Sequence, residues 1–408
     1  MRRVFVFISE KIQKNKLQNQ IGSLEKPDYF NAILIATCLI LAILIRYSLI
    51  DYRSLDYTGK VSHWYTFIKT NGFSAFATNF STYNPPYLYL FYLIIRMDPD
   101  LPTIVGVKLP ALIFDFVCAF YVYRIIKIRN KNPILPFIAG YAVLFAPTVI
   151  LNSAYWGQAD SIYTAALVAC IYYLMVQKNW LAVLAYGIAL SFKLQAIFLA
   201  PVLFALFLRK LLNWREILVV PFILFISLVP SWMAGRPIED LLKVYFNQSS
   251  QFEALTINAP SIYTWVPQTK EVFNLFYIPG IILGGSIALL LILLIYKSHT
   301  ELSSSRILEF SIISLMLVPF FLPKMHERYF FPADVISIPF AFYFSNLFFI
   351  PIIMSGISFL SYEPYLFDQT PVPFPVLTLI LLIVICFLVR NGITNLYTMK
   401  EDQGMPDE

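Results

Sequence analysis

The carboxylate Asp56 lies in a polar stretch between two long apolar segments, where it can take a proton from a substrate hydroxyl as a general base. Apolar side chains recur at helical spacing after it until Asn71-Gly72, which predicts a short amphipathic helix. Asp56 can instead simply cap that helix, a common role of Asp. Nearby Asp51 competes for the catalytic role, but Arg46 or Arg53 can neutralise it, so we favour Asp56.

A second short helix is predicted after Asn84-Pro85-Pro86, because proline suits the first helical turn. Residues 87–95 are apolar almost all round, yet this run is too short to cross hydrocarbon. Such a helix is expected in the membrane interface, with its tyrosines at headgroup level. Residues 51–103, which contain both helices, are thus predicted to hold Asp56 at a lipid surface, where it can act on a lipid-borne substrate.

Two polar clusters follow in later connections between apolar segments. In the first, Asp160 follows Trp156 and Gln158. It either caps the next helix or, together with those two residues, binds acceptor hydroxyls or orients the base. In the second, Lys193 can snorkel to the membrane surface, although the adjacent Gln195 favours a polar pocket.

A third cluster, residues 324–329, carries groups that suit a phosphate. Arg328 offers a planar guanidinium that makes two hydrogen bonds to a phosphate, His326 can complete the shell, and Glu327 can orient a neighbour. Lys193 is favoured over Lys324 as the third phosphate ligand. The alternative is that these basic residues anchor lipid headgroups, as they commonly do at the end of a membrane span.

The elements that carry these residues must be membrane helices. Of 408 residues, 59% are hydrophobic and only 13% are charged, which excludes a soluble domain. We predict an all-α integral membrane protein with about twelve transmembrane helices and two interfacial helices in the first outer loop. The predicted spans are residues 30–50, 104–125, 132–151, 161–177, 180–192, 194–209, 215–232, 272–296, 305–322, 329–345, 347–361 and 374–390.

Lysine and arginine residues in the short connections predict the orientation. Most of them fall on the inner side if the N-terminus is cytoplasmic, and all the polar clusters above then lie outside. The predicted domains are a cytoplasmic tail of residues 1–29, a single polytopic domain of residues 30–390 with its catalytic loop at 51–103, and a cytoplasmic tail of residues 391–408. The net charge of +6 therefore reflects membrane topology and does not indicate nucleic-acid binding.

Cofactor signals are weak throughout the sequence. Asp98-Pro99-Asp100 has the spacing of the metal-binding motif of nucleotide-sugar enzymes, but no glycine-rich phosphate loop or βαβ pattern accompanies it. Histidine and carboxylate residues do not cluster at metal-ligand spacing, so we predict a metal-independent protein without a cofactor. The intramembrane Asp115 is costly to bury, so we expect it to bond to a different span.

In their order and on their common side, several motifs together resemble the integral-membrane GT-C glycosyltransferases that use polyprenyl-phosphate sugars. The match is closest to bacterial proteins related to the second mannosyltransferase of GPI-anchor synthesis, and the His-Glu-basic triplet at 326–328 resembles the endoplasmic-reticulum glucosyltransferases of the N-glycan pathway. The resemblance covers residues 30 to 335. Its motifs are the outer-loop aspartate Asp56, YNPPY (83–87), WGQAD (156–160), FKLQA (192–196) and MHERYF (325–330).

This resemblance implies the GT-C fold, an inverting single displacement without a nucleotide, and Asp56 as the base. It implies a hexosyltransferase, with mannose favoured, that acts on a lipid-linked glycan or glycolipid acceptor at the outer face. The host membrane is the plasma membrane of a bacterium, or the endoplasmic reticulum if the host is eukaryotic. The expected donor-phosphate ligands are Lys193, His326 and Arg328, and the expected substrate-binding residues are Asn84, Trp156, Gln158, Asp160, Gln195, Glu327 and Tyr329.

The competing class is a lipid or solute transporter or flippase. Proline-broken helices and the intramembrane Asp115 fit that class. Secondary transporters, however, place their sites near the bilayer midplane between internal repeats. We detect no such repeat, and the polar clusters gather at one surface. The sequence therefore favours the transferase.

Overall fold

The computed structural model describes residues 29–247, 253–298 and 300–398. Contacts divide the chain into one unit that ends at Leu44 and a second that begins at Ile45. The described part of the first unit, residues 29–44, is helical. All but one residue of the predicted N-terminal tail lies outside the described residues, as do the last ten of the predicted C-terminal tail. Residues 391–398 continue the last helix.

In the described part of the chain, seventeen α-helices account for almost all of the regular structure. They are α1 Tyr29–Ser48, α2 Ser62–Asn71, α3 Pro85–Met97, α4 Thr103–Arg129, α5 Leu135–Phe145, α6 Pro147–Ile150, α7 Asp160–Met175, α8 Asn179–Phe192, α9 Ala200–Leu208, α10 Trp214–Ile217, α11 Val219–Met233, α12 Ile238–Asn247, α13 Lys270–Lys297, α14 Ser304–Phe321, α15 Phe331–Tyr343, α16 Ile350–Leu366 and α17 Phe374–Thr398.

Shorter elements join these helices. Two are π-helical turns, Tyr57–Val61 and Leu151–Trp156, and one parallel pair is formed by the strands β1, Thr256–Ile257, and β2, Met325–His326. The remaining short elements are the 3₁₀ turns Gly72–Ala77, Leu194–Leu199, Ile262–Trp265, Glu327–Phe330 and Ser345–Leu347.

Seven helical segments among the described residues are long and apolar enough to cross a membrane, and the chain is a multi-pass membrane protein. The predicted count of twelve is not confirmed, because several predicted spans fall on apolar helices of fewer than 18 residues, such as α7 and α8. The seven segments are α1, α4, α10 with α11, α13, α14, residues 345–366, and α17 up to residue 394.

The predicted span at residues 132–151 falls on two helical segments that meet at a break. The chain breaks at Ala146, which is extended, and the helical segments on either side are bent by 50°. The cause is Pro147, since a residue that precedes proline is driven away from the helical conformation. The segment after the break runs on to Trp156 and so brings the WGQAD motif to the end of a helix.

The helix α7 forms the centre of the second unit. It lies between α4 and α8, and α14 and α15 also pack on it. In α4, the buried Asp115 accepts a hydrogen bond from Arg46 at 2.9 Å, which confirms the expected bond to another span. This bond also corrects one expectation, because Arg46 pairs with this carboxylate and not with Asp51.

Both predicted helices of the first outer loop are present as α2 and α3. The turn at Asn71-Gly72 ends α2 as predicted, with Gly72 at a positive φ of 61° that favours glycine. The two helices pack through one cluster of buried apolar side chains that also reaches α4 and α7. This packing fixes the loop that carries Asp56 onto the ends of the membrane helices.

Candidate active site

A cavity of about 510 Å³ lies where the predicted polar clusters meet. Its walls come from the first outer loop, the connection after α8, residues 322–329 and one side of α13. Seven of the predicted site residues line it, and they are Asp56, Lys193, Gln195, His326, Glu327, Arg328 and Tyr329. The other four, Asn84, Trp156, Gln158 and Asp160, do not line it.

Asp56 enters the cavity from the start of the π-helical turn. Its side chain makes no capping bond, so the capping interpretation is wrong. Instead, its Oδ2 accepts hydrogen bonds from Trp156 Nε1 at 3.0 Å and from Gln158 Nε2 at 2.6 Å. Asp51 is exposed and lies outside the cavity lining. The hydroxyl of Tyr365 also bonds to Asp56, so side chains that are distant in sequence hold this carboxylate in place.

The backbone around Gly157 aims both donors at Asp56. Trp156 ends the second π-helical turn, and Gly157 is left-handed with a φ of 81°. The chain then turns back, so that the N–H of Gln158 donates to Asn152 O at 2.9 Å. Tyr83 donates to Gln158 Oε1 at 3.2 Å and so orients its amide. Asp56 directly precedes one π-helical turn and Trp156 ends the other, and such turns occur frequently at functional sites.

Asp160 organises the cationic wall of the cavity. It is fully buried, accepts hydrogen bonds from Lys193 and from Asn152 Nδ2, and lies 3.6 Å from Arg328 Nε. The N-cap residue of α7 is Ala159, and Asp160 lies in the first turn of the helix. Burial lowers the pKa of Lys193, and Asp160 opposes this shift. Asp160 therefore keeps two cations at the wall without touching the cavity itself.

The strand pair fixes the segment that contains His326 and Glu327. Burial raises the pKa of Glu327 to about 7, although Arg328, whose NH1 lies 3.3 Å from the carboxylate, partly offsets the effect. Burial, together with the charges of Arg328, Lys193 and Lys60, lowers the pKa of His326 to about 2. His326 Nδ1 lies 3.9 Å from Glu327 Oε2, too far for a hydrogen bond. The imidazole is thus neutral and offers a hydrogen bond, not a charge.

Sequence reasoning missed several residues that line the cavity. Lys60 lies four residues after Asp56, a spacing that marks one helix face, and Lys324 was ranked below Lys193. Lys324 extends over the rings of Phe273 and Tyr277, at 5.1 and 4.8 Å. With Lys60 and Lys324, the described residues contribute four cations and two carboxylates to the cavity lining. Tyr83 and Tyr365 also line it.

Two predicted features lie elsewhere. Asn84 is fully buried, and its Nδ2 donates to Ser191 O at 3.0 Å, which ties the first outer loop to the end of α8. The Asp98-Pro99-Asp100 motif is an exposed turn in which the N–H of Asp100 donates to Asp98 Oδ1. Within residues 29–247, 253–298 and 300–398, no three His, Cys, Asp or Glu side chains are grouped to hold a metal ion.

One wall of the cavity reaches a helix with a largely exposed apolar surface. Tyr277 and Ile281 of α13 line the cavity, and the neighbouring Leu275, Ile278 and Ile282 are exposed. An exposed apolar face on a membrane span contacts lipid tails. The cavity thus combines a cationic wall with an apolar wall beside lipid.

Comparison with solved structures identifies the fold. The chain is similar to the crystal structure of ArnT from Cupriavidus metallidurans bound to undecaprenyl phosphate, with a TM-score of 0.54 and 12% sequence identity over 89% of this chain and 74% of that one. No protein-family model matches the sequence. No curated protein matches it either. The likeness shows the GT-C fold that the motifs predict.

Proposed function

We propose that the chain is an integral-membrane glycosyltransferase that takes its sugar from a polyprenyl-phosphate donor. One observation carries the proposal: Asp56, held by two neutral N–H donors, shares a cavity with a wall of cations. A base and an anion site within one cavity are what transfer from a phosphate-linked donor requires. The fold of a protein crystallised with undecaprenyl phosphate supports this class of donor.

The donor phosphate binds at the cationic wall. Arg328 provides the forked guanidinium, Lys193 a second charge, and neutral His326 a hydrogen bond. The polyprenyl chain leaves past Tyr277 and Ile281 of α13 towards lipid. The cavity lining, which brings these groups together, supports this arrangement.

The reaction is a single displacement at the anomeric carbon. Asp56 takes the proton of the acceptor hydroxyl while the hydroxyl oxygen forms the new glycosidic bond and the bond to the phosphate oxygen breaks. The leaving phosphate keeps the electron pair and stays bound to the cations, and the configuration inverts. Trp156 and Gln158 both donate to Oδ2 of Asp56, and the hydroxyl of Tyr365 also bonds to this residue. The carboxylate also stabilises the oxocarbenium-like transition state.

The sugar is a hexose, with mannose as the first candidate, and the acceptor is a lipid-linked glycan or glycolipid at the outer face. The motif resemblance to bacterial relatives of the GPI mannosyltransferase supports this choice of sugar. The transfer proceeds without a metal, because Arg328 and the lysines already neutralise the departing phosphate.

A transfer assay tests the proposal. Purified protein in lipid nanodiscs is incubated with radiolabelled polyprenyl-phosphate mannose or glucose and a membrane lipid extract as acceptor. We expect a labelled product with the mannose donor and a loss of at least about 10²-fold in Asp56→Asn, the scale of a general base. Asp51→Asn is the matched control and stays active. An active Asp56→Asn with an inactive Asp51→Asn would transfer the role to Asp51, and lipid or solute movement without any transfer would favour a transporter.

A further inference from the structure

Lys108 is a buried cation that the reaction above does not use. It lies near the start of α4 and is fully buried. Its Nζ donates to Leu49 O at 3.3 Å, Tyr52 O at 2.8 Å, Ala154 O at 2.7 Å and Tyr155 O at 3.0 Å. Among the residues that the structure describes, no ion pair joins it to a carboxylate. Backbone carbonyls therefore provide the solvation that a buried ammonium group needs.

The four carbonyls belong to the two segments that meet at Asp56. Tyr52 lies four residues before Asp56, and Ala154 and Tyr155 immediately precede Trp156. Carbonyls at the end of a helical segment have no partner within it, so an ammonium group between two such ends binds both. The contact joins segments that are about one hundred residues apart in sequence.

Gly157 shows how closely the Lys108 stem fits this place. A Cβ atom on Gly157 would lie 3.2 Å from Lys108 Cγ, closer than an ordinary contact. Beside it, Ser54 Oγ donates to Trp156 O at 2.9 Å, which adds a second tie between the same two segments. The ammonium group of Lys108 is thus the centre of a packed junction.

We propose that Lys108 is a positioning residue for sugar transfer: it clamps the segment of Asp56 to the segment of Trp156 and Gln158. It acts through these residues and does not touch substrate, since it lies outside the cavity lining. The effect of Lys108 on sugar transfer rests on the proposed function, whereas its joining of the two segments does not.

Lys108→Met tests the clamp, because methionine keeps most of the stem and removes the ammonium group. Hydrogen–deuterium exchange of residues 49–56 and 151–158 should become faster, a readout that needs no turnover. In the transfer assay, kcat should fall by about 10²-fold, the effect of a misplaced reacting group, while the KM for donor stays within about twofold.

Arg209→Met is the matched control. Arg209 also donates to backbone carbonyls, Ile295 O at 3.2 Å and Thr300 O at 2.8 Å, and it lies outside the cavity lining. Its loss should lower stability without changing the exchange of residues 151–158. If Lys108→Met is not recovered folded, the same measurements are made on Lys108→Gln.

Two outcomes would overturn the clamp. One is a folded Lys108→Met protein with wild-type exchange and kcat. The other is a loss of activity that follows only the folded fraction, as in Arg209→Met, with unchanged exchange of residues 49–56 and 151–158. Absence of transfer by the wild type would contradict the proposed function instead, and the exchange measurement would still decide whether Lys108 joins the two segments.

Discussion

Replacement of Arg328 by lysine separates the binding of a phosphate from a general effect of positive charge. The guanidinium lies 3.6 Å from Asp160, 3.3 Å from Glu327 and 5.4 Å above the ring of Trp156. These contacts are long, so they place the guanidinium by charge while most of its N–H groups can turn to a ligand. Arg328→Lys keeps the charge and loses the planar fork.

The size of the effect follows from the hydrogen bonds. A guanidinium makes two to a phosphate, and lysine at this position makes one. A hydrogen bond to a charged group contributes about 1.5 to 3 kcal/mol. Donor affinity should therefore fall by about 10- to 150-fold in Arg328→Lys. A residue that only anchors lipid headgroups would tolerate the change, because the charge survives.

The assay is equilibrium binding of a polyprenyl-phosphate sugar to purified wild type and Arg328→Lys. The matched control is Arg236→Lys, since Arg236 is also buried, bonds to Asn79 at 2.6 Å and lies outside the cavity lining. We expect the control to bind donor like the wild type. Equal affinities for wild type and Arg328→Lys would refute the phosphate site, and equal losses in both variants would show that the effect is not local.

Three further predictions use the same preparation. The carboxyl of Glu327, with a pKa of about 7, is neutral below that pH and repels a phosphate above it, so wild-type donor affinity should fall as the pH rises through 7. Glu327→Gln should bind donor with the same affinity across that pH range in binding titrations. If its donor affinity falls with pH as steeply as that of the wild type, Glu327 is not the cause. Trp156→Phe loses the N–H bond to Asp56, so initial rates should show kcat reduced by about 10-fold or more with the KM for donor unchanged; a raised KM alone would contradict this. A cysteine at the exposed Leu55 should react with an impermeant thiol reagent added from outside, whereas one at Lys131 should not. Labelling of residue 131 would contradict the predicted orientation.

Local signals made part of the fold predictable. Asn71-Gly72 and Asn84-Pro85-Pro86 correctly predicted the end of α2 and the start of α3, because chain reversal and helix initiation depend on a few adjacent residues. The number of spans was not predictable in the same way. Helix α7 is as apolar as a span, but it is surrounded by other helices, and hydrophobicity alone does not separate contact with protein from contact with lipid.

The sequence predicted which residues belong to the candidate site better than it predicted how they bond to one another. Residue types and their common side brought Asp56, Lys193 and Arg328 together correctly in one cavity. The bond from Trp156 to Asp56 joins residues one hundred positions apart, and no local pattern encodes it. Lys108 carried no signal at all, because a lysine near the end of a span usually snorkels to the surface.

The partners of the carboxylates, not the motifs, distinguish the proposed base Asp56 from its neighbours. Proton transfer to Asp160 would break its contacts with two cations, Lys193 and Arg328, in a buried place where an unpaired charge is costly. Proton transfer to Asp56 breaks no ion pair, because its bonded partners are the neutral N–H groups of Trp156 and Gln158 and the hydroxyl of Tyr365. Asp160, in turn, holds Lys193 and Arg328 in place by its negative charge and lies outside the cavity lining. The proposed base and the proposed phosphate ligands can therefore act side by side without neutralising each other.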